Sequence, residues 1–504
     1  MKDGLTKQER RKAWLYAIVI TAGLLLAGWL IVRPMGFASV PATLPAESDT
    51  LLHVAQAMDT ISIDAAFDPA ARTLTATQTM TLRNRTGQTL TQATLRSYSG
   101  AYLSQETSPA ASDELFTACY GERFSTGGLL LDEASVNGNA VRHTWEDDAR
   151  TVLSLPVAAW APNEVITIRL QYHVYIPLCQ SRFGYHDGVY ALGNVFPVAA
   201  PWVEGECRTD AYHAVGDPFI SECANWTVRL TMPKGYRAAA TGYAETAETG
   251  DSAVQTMTAH GVRDFALAIS DQWHTAMRMA GDTMVAAFAR TEDKAGQMAE
   301  YAVQALNCYT ARYGSCGYPT LTLCEVDFPY GGMEYPRLAM IASDLTGQDL
   351  VCTIAHETAH QWWGVTVGSD SYRQPWQDEA LCEYAVLDFI GATQGEAARE
   401  AAVYQRVEAA LQVTVPRCVT PGSPIDYFAD LDEYALVVYQ RGAALFTALE
   451  KLMGKDGLDA LLRRYLEACR YTIATRNELE ALASQAAGMD VSALFLDYLD
   501  TELR

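Results

Sequence analysis

The apolar and polar residues of this chain follow different patterns in successive stretches, and the first stretch is apolar throughout. Residues 13–32 contain no charged side chain, follow a basic segment at residues 1–12 and end before Arg33. A helix of this length spans a bilayer, and flanking basic residues favour the cytoplasmic side. We therefore expect a membrane anchor at residues 13–32, a cytoplasmic tail at residues 1–12 and an extracytoplasmic body. A cleaved signal peptide is the alternative, because small residues follow the apolar run.

The next stretch, residues 33–50, contains three prolines and few large side chains, which indicates a linker. From residue 51 to residue 275, apolar and polar residues alternate with a period of two, as in half-buried β-strands. The segments Ile61–Phe67 and Thr73–Leu82 flank a short turn and predict a hairpin. Further strands are expected at Ala134–Val136, Thr151–Leu155, Val165–Tyr175, Thr227–Met232 and Phe265–Ile269. Together these segments predict an antiparallel β domain.

Residues 276–504 combine a few strands with apolar residues at helical spacing. Strands are predicted at Met284–Phe288 and Thr320–Val326. Helices are expected at Lys294–Arg312, Trp376–Phe389, Glu396–Val413, Glu433–Met453, Leu458–Arg470, Thr475–Gly488 and Val491–Leu503. Thr475 and Glu478 have the spacing of a capping box. The fold class is therefore α+β: a transmembrane helix, an antiparallel β domain and a second domain that ends in a helical lobe.

The composition is that of a globular protein, with 49% hydrophobic and 19% charged residues among 504. The chain has 37 basic and 60 acidic residues, and residues 1–33 contain six of the basic and two of the acidic ones. The remaining 31 basic and 58 acidic residues give residues 34–504 a formal charge of −27. A body of this charge repels nucleic acid, so the composition excludes a nucleic-acid partner.

The strongest chemical signal is a short motif, H-E-x-x-H, formed by His356, Glu357 and His360. Residues four apart lie on one face of a helix, so both imidazoles can bind one metal ion. A further acidic residue, Glu379, follows after eighteen residues and a turn-rich segment, at the start of a predicted helix. Two histidines and one carboxylate with an open fourth position are typical of a catalytic Zn²⁺, one per chain. The alternative is that the histidines have structural roles and bind no metal.

Glu357 lies next to the first histidine ligand, and its role follows from this position. Its carboxylate cannot easily reach the same ion, but it can take a proton from water bound there. Zn²⁺ with this ligand set lowers the pKa of bound water to about 7 and polarises a carbonyl group. The sequence therefore predicts hydrolysis, with Glu357 as the general base. Glu383, one turn after Glu379, either orients a ligand histidine through a hydrogen bond or lies on a solvated face.

Four segments, in this order along the chain, resemble the zinc aminopeptidase family that includes aminopeptidase N and leukotriene hydrolase. They are Gly331–Tyr335 (G-G-M-E-Y), the H-E-x-x-H motif with Glu379, Trp376–Ala380 (W-Q-D-E-A) and Tyr439–Gly442 (Y-Q-R-G). The resemblance implies a β-sheet domain followed by a thermolysin-like zinc metallopeptidase domain, and it covers residues 51–504. It also implies a zinc-dependent aminopeptidase that acts on peptides with a free amino terminus.

The resemblance further implies the roles of individual residues. Glu334 would bind the free amino group of the substrate, and Tyr439 would donate a hydrogen bond to the tetrahedral oxyanion. The predicted strand before Gly331, Gly332 and Met333 ends beside the metal helix, where an extended peptide can pair through its main chain. These three residues are therefore candidates for substrate binding.

Two other functions are compatible with the motif. A thermolysin-type endopeptidase would use the same metal chemistry, but a carboxylate at Glu334 favours a substrate ammonium group over an internal peptide segment. A binding protein that has lost catalysis would have no need of Glu357 or Tyr439. Some positions depart from the family pattern without removing a ligand: Tyr335, Asp378, Ala380 and Arg441 stand where Asn, Asn, Gly and Lys are usual.

The eleven cysteines are an odd number for a body placed outside the cell, so at least one is free or pairs between chains. Sequence alone does not determine pairing. Cys352 and Cys382 lie close to the metal ligands, and we expect them to pack as small buried side chains because the ligand set is complete without them. By spacing, the candidate bridges are Cys207 with Cys223 and Cys308 with Cys316.

Overall fold

The computed structural model describes residues 45–110 and 112–501. The predicted tail and membrane anchor at residues 1–32, and most of the predicted linker at residues 33–50, lie outside the described residues. Among the helices of the described residues, none has both the length and the apolar character of a bilayer span. The first helix, Asp49–Ala55, begins inside the predicted linker.

The amino-terminal half is built on a sheet that has eight strands within the described residues. In spatial order they are Tyr243–Thr249, Ser252–Val262, Ala224–Pro233, Asp59–Asp68, Thr73–Arg83, Val165–Tyr175, Gly128–Val136 and Asn139–Ala140. Asp59–Asp68 and Thr73–Arg83 form the predicted hairpin, and burial alternates along both. The prediction of a purely antiparallel domain is wrong, because Asp59–Asp68 pairs in parallel with Ala224–Pro233. Parallel pairing joins segments far apart in sequence, which periodicity does not reveal.

Smaller sheets complete this half of the described chain. One joins Val198–Ala199, Leu90–Arg96, Val152–Trp160 and Thr144–Trp145, and a second joins Arg237–Ala240, Leu267–Ser270, Val189–Leu192 and Phe183–His186. A two-stranded ribbon pairs Trp202–Val203 with Glu206–Cys207. A helix at Asp113–Tyr120 and a 3-10 helix at Tyr98–Tyr102 connect strands.

The second half begins with a five-stranded sheet in the spatial order His274–Ala280, Thr283–Ala289, Thr320–Val326, Leu338–Ala342 and Gly332–Met333. The predicted domain boundary between residues 275 and 276 falls inside its first strand. The helix Glu292–Tyr313 connects Thr283–Ala289 to Thr320–Val326, which pair in parallel, as a crossover helix is expected to do.

Helices follow to the end of the described chain: Gly347–Ala359, Trp376–Gln394, Glu396–Val403, Leu431–Tyr434, Ala443–Met453, Lys455–Cys469, Arg476–Ala487 and Ser492–Leu499. Short 3-10 turns lie at Ala410–Gln412 and Ile425–Tyr427. The capping box of Thr475 and Glu478 is confirmed. Two predicted helices are not continuous α-helices, because π-helical turns occupy Tyr404–Glu408 and Ala435–Arg441. Such turns insert a residue into the helical register without changing the apolar pattern strongly.

The two halves share hydrophobic cores. One cluster of buried side chains extends from the large sheet into the helical lobe. A second cluster packs Val189 and Ala268 of the amino-terminal half against Val326, Met333 and Met340 of the five-stranded sheet. The edge strand Gly332–Met333 is therefore held against both halves, next to the helix that carries the H-E-x-x-H motif.

Candidate metal centre

The motif helix, Gly347–Ala359, presents both histidines to the interior of the molecule. His356 lies in its last turn, and His360 is its C-cap residue. Nδ1 of His360 donates a hydrogen bond to the carbonyl oxygen of Trp363, at 3.0 Å. This bond orients the ring and leaves Nε2 as the nitrogen that can bind a metal.

Glu379, from the first turn of the helix Trp376–Gln394, completes a triangle with the two histidines. Its Oε2 atom is 3.1 Å from Nε2 of His356 and 3.3 Å from Nε2 of His360, and the two nitrogens are 3.0 Å apart. Ligand atoms about 2 Å from a tetrahedral ion are about 3.3 Å from one another. The structure thus brings the three predicted ligands together with the spacing that one Zn²⁺ requires.

The electrostatics of the triangle favour the ionised form of Glu379. Glu379 and His360 are both buried. Burial alone would raise the pKa of the Glu379 carboxyl, but the charge of His360 and hydrogen bonds from His356 and His360 hold that pKa well below its usual range. An ionised carboxylate is the form in which glutamate binds a cation.

Glu357 lies beside the triangle and not in it. Its carboxylate forms a cluster with Glu334 and His360, in which one potential ligand atom of each residue lies within 4.8 Å of the others. The side chain is buried, and its Oε2 atom has no hydrogen-bond partner among the described residues. Burial, followed by the charges of nearby carboxylates, raises the pKa of Glu357. A buried carboxylate oxygen without a protein partner is positioned to accept a proton from a reacting molecule.

The edge strand fits against Glu357 because residue 332 is glycine. A Cβ atom at Gly332 would overlap the Glu357 carboxylate, whereas a Cβ atom at Gly331 would make ordinary contact with Thr353 at 3.5 Å. Met333 is buried in the shared core, and Glu334 follows it directly. The predicted substrate-binding residues therefore lie next to the motif helix.

Asp217 is a site residue that the sequence interpretation missed. Its carboxylate lies with those of Glu334 and Glu379, with one oxygen of each within 4.8 Å of the others. Burial, and the neighbouring charges of Glu334 and Glu379, raise the pKa of Asp217 to about 7 although Arg182 opposes the shift. The only signal in the sequence was the turn-like Gly-Asp-Pro that begins at Gly216, within a polar loop.

Arg182 forms an ion pair with Asp217. Its Nη2 atom is 2.8 Å from Oδ1 of Asp217. The guanidinium carbon lies 5.2 Å from the ring centroid of Phe219 and 4.9 Å from that of Tyr330. A guanidinium placed between two aromatic rings has few alternative positions, so it fixes the carboxylate that it pairs with.

Tyr439 enters the site from the helical lobe. Its ring stacks on His356 with centroids 5.5 Å apart and an interplanar angle of 15°. Burial, followed by the charge of Glu379, raises the pKa of its hydroxyl. The residue lies in the π-helical turn Ala435–Arg441, a geometry that is frequent at functional sites. The guanidinium of Arg441 donates to the carbonyl oxygens of Ala410 and Val413 and fastens this turn to the neighbouring segment. The predicted phenol is therefore present at the metal centre.

A second tyrosine connects Tyr439 to the loop of Asp217. Tyr434 meets the Tyr439 ring edge-on, with centroids 5.6 Å apart. Its hydroxyl end lies against Gly216, where an added Cβ atom would come within 3.0 Å of the phenol ring. Gly216 has a φ of 75°, which glycine adopts without strain. Tyr434 thus joins the helical lobe to the amino-terminal half at the site.

Glu383 contacts an arginine more closely than it contacts a ligand. Its carboxylate accepts two hydrogen bonds from Arg406, at 2.5 and 2.9 Å, while Nδ1 of His356 is 3.9 Å from Oε2 of Glu383. The last distance is too long for a direct hydrogen bond but close enough for electrostatic attraction. Burial raises the pKa of Glu383, but the facing Arg406 charge and hydrogen bond lower it overall. The side chain is buried, so the alternative of a solvated face is wrong.

The departures from the family pattern have structural partners. The Tyr335 hydroxyl donates to Oδ1 of Asn194 at 2.8 Å, across the two halves. Asp378 accepts a hydrogen bond from Ser369 at 2.8 Å, and burial together with Glu379 raises the pKa of Asp378 to about 8. Ala380 packs against Gly442, where an added Cβ atom would lie 2.7 Å from the Cβ atom of Ala380.

All eleven cysteines lie within the described residues and are free thiols. Neither spacing-based candidate bridge is therefore formed. Cys382 is buried and its thiol donates to the carbonyl oxygen of Trp363 at 3.8 Å. Cys352 is partly buried and accepts a hydrogen bond from Gln348. Both contact polypeptide groups near the metal triangle.

Comparison with known proteins matches this region to a peptidase family. The model of the peptidase family M1 domain matches residues 298–498, which contain the triangle, Glu357 and Tyr439. The fold is similar to that of the M1 zinc metallopeptidase from Deinococcus radiodurans, with a TM-score of 0.62, 16% identity and coverage of 91% of this chain and 96% of that chain. A mutant of that metallopeptidase bound to a Tyr-ser-ala substrate has a TM-score of 0.64 and 17% identity, with coverage of 88% of this chain and 94% of that chain. At this identity the likeness shows the fold.

Curated relatives match over shorter regions. Leucine aminopeptidase 2-1 of Meyerozyma guilliermondii is 28% identical over 186 residues, which are 34% of this chain and 29% of that protein. Aminopeptidase N of Haemonchus contortus is 25% identical over 341 residues, 61% of this chain and 34% of that protein. The chain spans about a third of the length of these relatives.

Proposed function

We propose that this chain is a zinc-dependent aminopeptidase that hydrolyses the amino-terminal residue from peptides. The observation that carries the proposal is that two clusters share Glu379. One is the triangle of His356, His360 and Glu379, and the other contains the carboxylates of Asp217, Glu334 and Glu379. The first suits a divalent metal ion and the second suits an ammonium group. The match to the M1 domain model and the similarity to leucine aminopeptidases support the same activity.

The residues of the triangle would hold the metal ion, which when bound polarises a substrate carbonyl and activates water. Glu357 would take the proton of the attacking water on its unpartnered Oε2 atom and later deliver it to the leaving amine. Tyr439, whose ring is fixed against His356, would donate a hydrogen bond to the oxyanion that forms from the carbonyl. Burial and the nearby charge of Glu379 keep the pKa of this hydroxyl high, so it stays protonated and able to donate.

Glu334 and Asp217 would bind the free amino group of the substrate. A peptide whose first carbonyl reaches the triangle carries its free amino group on the same residue, bonded to the adjacent Cα atom, and an ammonium group there gains charge-assisted hydrogen bonds. An internal segment brings an uncharged amide, which offers these half-buried carboxylates no charged partner and so binds less favourably. The pair of acids therefore favours an exopeptidase.

The alternative, a thermolysin-type endopeptidase, differs in one measurable property. We expect aminoacyl amides of a fluorescent amine to be cleaved by the chain without residues 1–33, and their acetylated forms to resist cleavage. A chelator should abolish the activity, and added Zn²⁺ should restore it. Equal cleavage of free and acetylated substrates would support the endopeptidase. Cleavage of neither by metal-loaded protein would contradict an enzyme and favour a binding protein on the same fold.

We also propose that residues 13–32 anchor the catalytic body to a membrane, with the amino terminus in the cytoplasm. The charge pattern around this apolar run supports the proposal. The full chain should sediment with membranes after a carbonate wash, and external protease should reach the body but not residues 1–12. A soluble product that lacks residues 1–33 would instead support a cleaved signal peptide.

A further inference from the structure

Two buried thiols, Cys119 and Cys179, meet behind the wall of the candidate active site. Cys119 is in the last turn of the helix Asp113–Tyr120, which ends at Gly121. Cys179 lies in the connection between the strands Val165–Tyr175 and Phe183–His186. They are 2% and 3% exposed. These elements are distant in sequence, so the contact results from the fold.

Backbone and side chains both bring the two residues together. The amide of Gln180, which follows Cys179, donates to the carbonyl oxygen of Cys119 at 2.8 Å. The two thiols are close enough to interact, because the Cys119 thiol contributes to a raised pKa of the Cys179 thiol after burial. Two neighbouring buried thiols on residues whose backbones are already paired are an arrangement from which a disulfide can form with little movement.

The segment around Cys179 has no freedom to separate the pair. A Cβ atom on Gly184 would overlap the carbonyl group of Cys179, and the Cys179 amide donates to the carbonyl oxygen of Tyr185 at 3.3 Å. On the other side, Ser181 shares a hydrogen bond of 2.9 Å with the hydroxyl of Tyr102. The connection is therefore held in place on both sides of Cys179.

We propose that Cys119 and Cys179 form a disulfide bond when the chain folds in an oxidising compartment. A small-molecule disulfide would supply the oxidising equivalents. One protein thiolate attacks it and displaces a small thiol, and the second protein thiolate then attacks the mixed disulfide and displaces the other small thiol. The two cysteines lose two electrons and two protons, which leave on the two small thiols.

The burial of the pair determines when this exchange happens. Burial, followed by the neighbouring Cys119 thiol, raises the pKa of the Cys179 thiol, so little thiolate is present in the folded protein. Reagents also reach neither sulfur easily. The bond therefore forms while this region is still folding, and once buried it resists reduction.

The bridge would brace the wall that holds Asp217. Arg182, which pairs with Asp217, follows Cys179 by three residues. A bond to Cys119 would fasten this segment to the helix Asp113–Tyr120 and close a loop of about 60 residues. Closing such a loop restricts the unfolded chain and stabilises the folded one. This inference concerns the thiols alone and does not depend on the proposed activity.

The test counts thiols in the unmutated full chain, produced with secretion of its body into an oxidising compartment. The folded protein is denatured with a maleimide present, with and without prior reduction, and its intact mass is measured. We expect two fewer labelled cysteines in the unreduced sample, and a proteolytic peptide pair that joins Cys119 to Cys179. Equal labelling in both samples, or a cross-link that involves other cysteines instead, would overturn the proposal.

Serine variants provide the matched controls. In Cys119→Ser, the partner should become reactive, so the reduced and unreduced samples should label equally. In Cys308→Ser, which removes a cysteine from one of the spacing-based pairs, the difference of two should persist. If the difference persists in Cys119→Ser and disappears in Cys308→Ser, the bond lies elsewhere and the proposal is wrong.

Discussion

The two sides of the candidate active site are built in different ways. The metal side takes its three ligands from two consecutive helices, within residues 356–379. The carboxylate side takes Asp217 from the amino-terminal half and Glu334 from the edge of the five-stranded sheet. The chemistry thus depends on local geometry, whereas the preference for an amino terminus depends on how the two halves of the molecule pack.

The largest loss of activity should come from a substitution on the metal side that leaves the zinc ion bound. We expect Glu357→Gln to bind one Zn²⁺ per chain and to lower kcat/KM about 10⁴-fold, because the amide cannot accept the proton of water. Steady-state rates and metal analysis of the same preparation would check this. Wild-type rates in this variant would contradict the role of Glu357 as the general base. Loss of zinc would show that Glu357 supports the metal ligands.

Tyr439→Phe should lower kcat about 10²- to 10³-fold, with a smaller change in KM, because the lost hydrogen bond acts mainly in the transition state. The phenyl ring retains the stacking on His356, so metal content should not change. Tyr434→Phe is the matched control, since its ring contacts Tyr439 but its hydroxyl lies at Gly216. Equal losses in both variants would argue that the tyrosines act through packing.

Two neighbouring glycines test the point where the sides meet. An added Cβ atom at Gly332 must displace the Glu357 carboxylate, so Gly332→Ala should lower kcat about 10²-fold while zinc is retained. Gly331→Ala adds the same methyl group in ordinary contact with Thr353 and should remain within about threefold of wild type. Rates for free-amine substrates would show both effects. Similar rates in the two variants would mean that the edge strand moves aside.

The carboxylate side should affect selectivity more than turnover. Glu334→Gln should lower kcat/KM for free-amine substrates about 30-fold and Asp217→Asn about tenfold, because each removes a charged partner of the ammonium group. A substrate with a hydroxyl in place of the amino group should lose less in both variants. Equal losses for the two substrates would show that these residues support the metal side and do not recognise the amine.

The same contrast explains how far the sequence could predict the structure. The H-E-x-x-H spacing fixes two ligands on one helix, and Glu379 begins the next predicted helix, so the triangle needed little tertiary information. Asp217 could not be found in this way, because only packing of the two halves brings its loop to Glu334. Likewise, alternation predicted the hairpin of Asp59–Asp68 and Thr73–Arg83 but not the parallel neighbour Ala224–Pro233. The π-helical turn of Tyr439 was missed because its apolar spacing is close to that of an α-helix.

The smallest expected effect is on zinc affinity, and it comes from a residue outside the metal triangle. Arg406 pairs with Glu383 through two hydrogen bonds, and Glu383 lies 3.9 Å from Nδ1 of His356. Without the arginine, the buried carboxylate would lose its partner and turn toward solvent, away from His356. Arg406→Ala should therefore weaken zinc binding about tenfold.

Competition with a chelator measures this effect directly, and the pH dependence of zinc binding separates it from a general loss of stability. Arg406→Lys should recover only part of the affinity, because an ammonium group cannot form the paired hydrogen bonds of a guanidinium. Arg464→Ala is the control, since that exposed arginine contacts Gln485 far from the triangle in sequence. Unchanged zinc affinity in Arg406→Ala would show that the three ligands alone determine metal binding. The metal site would then depend only on local structure, whereas the carboxylate site depends on tertiary packing.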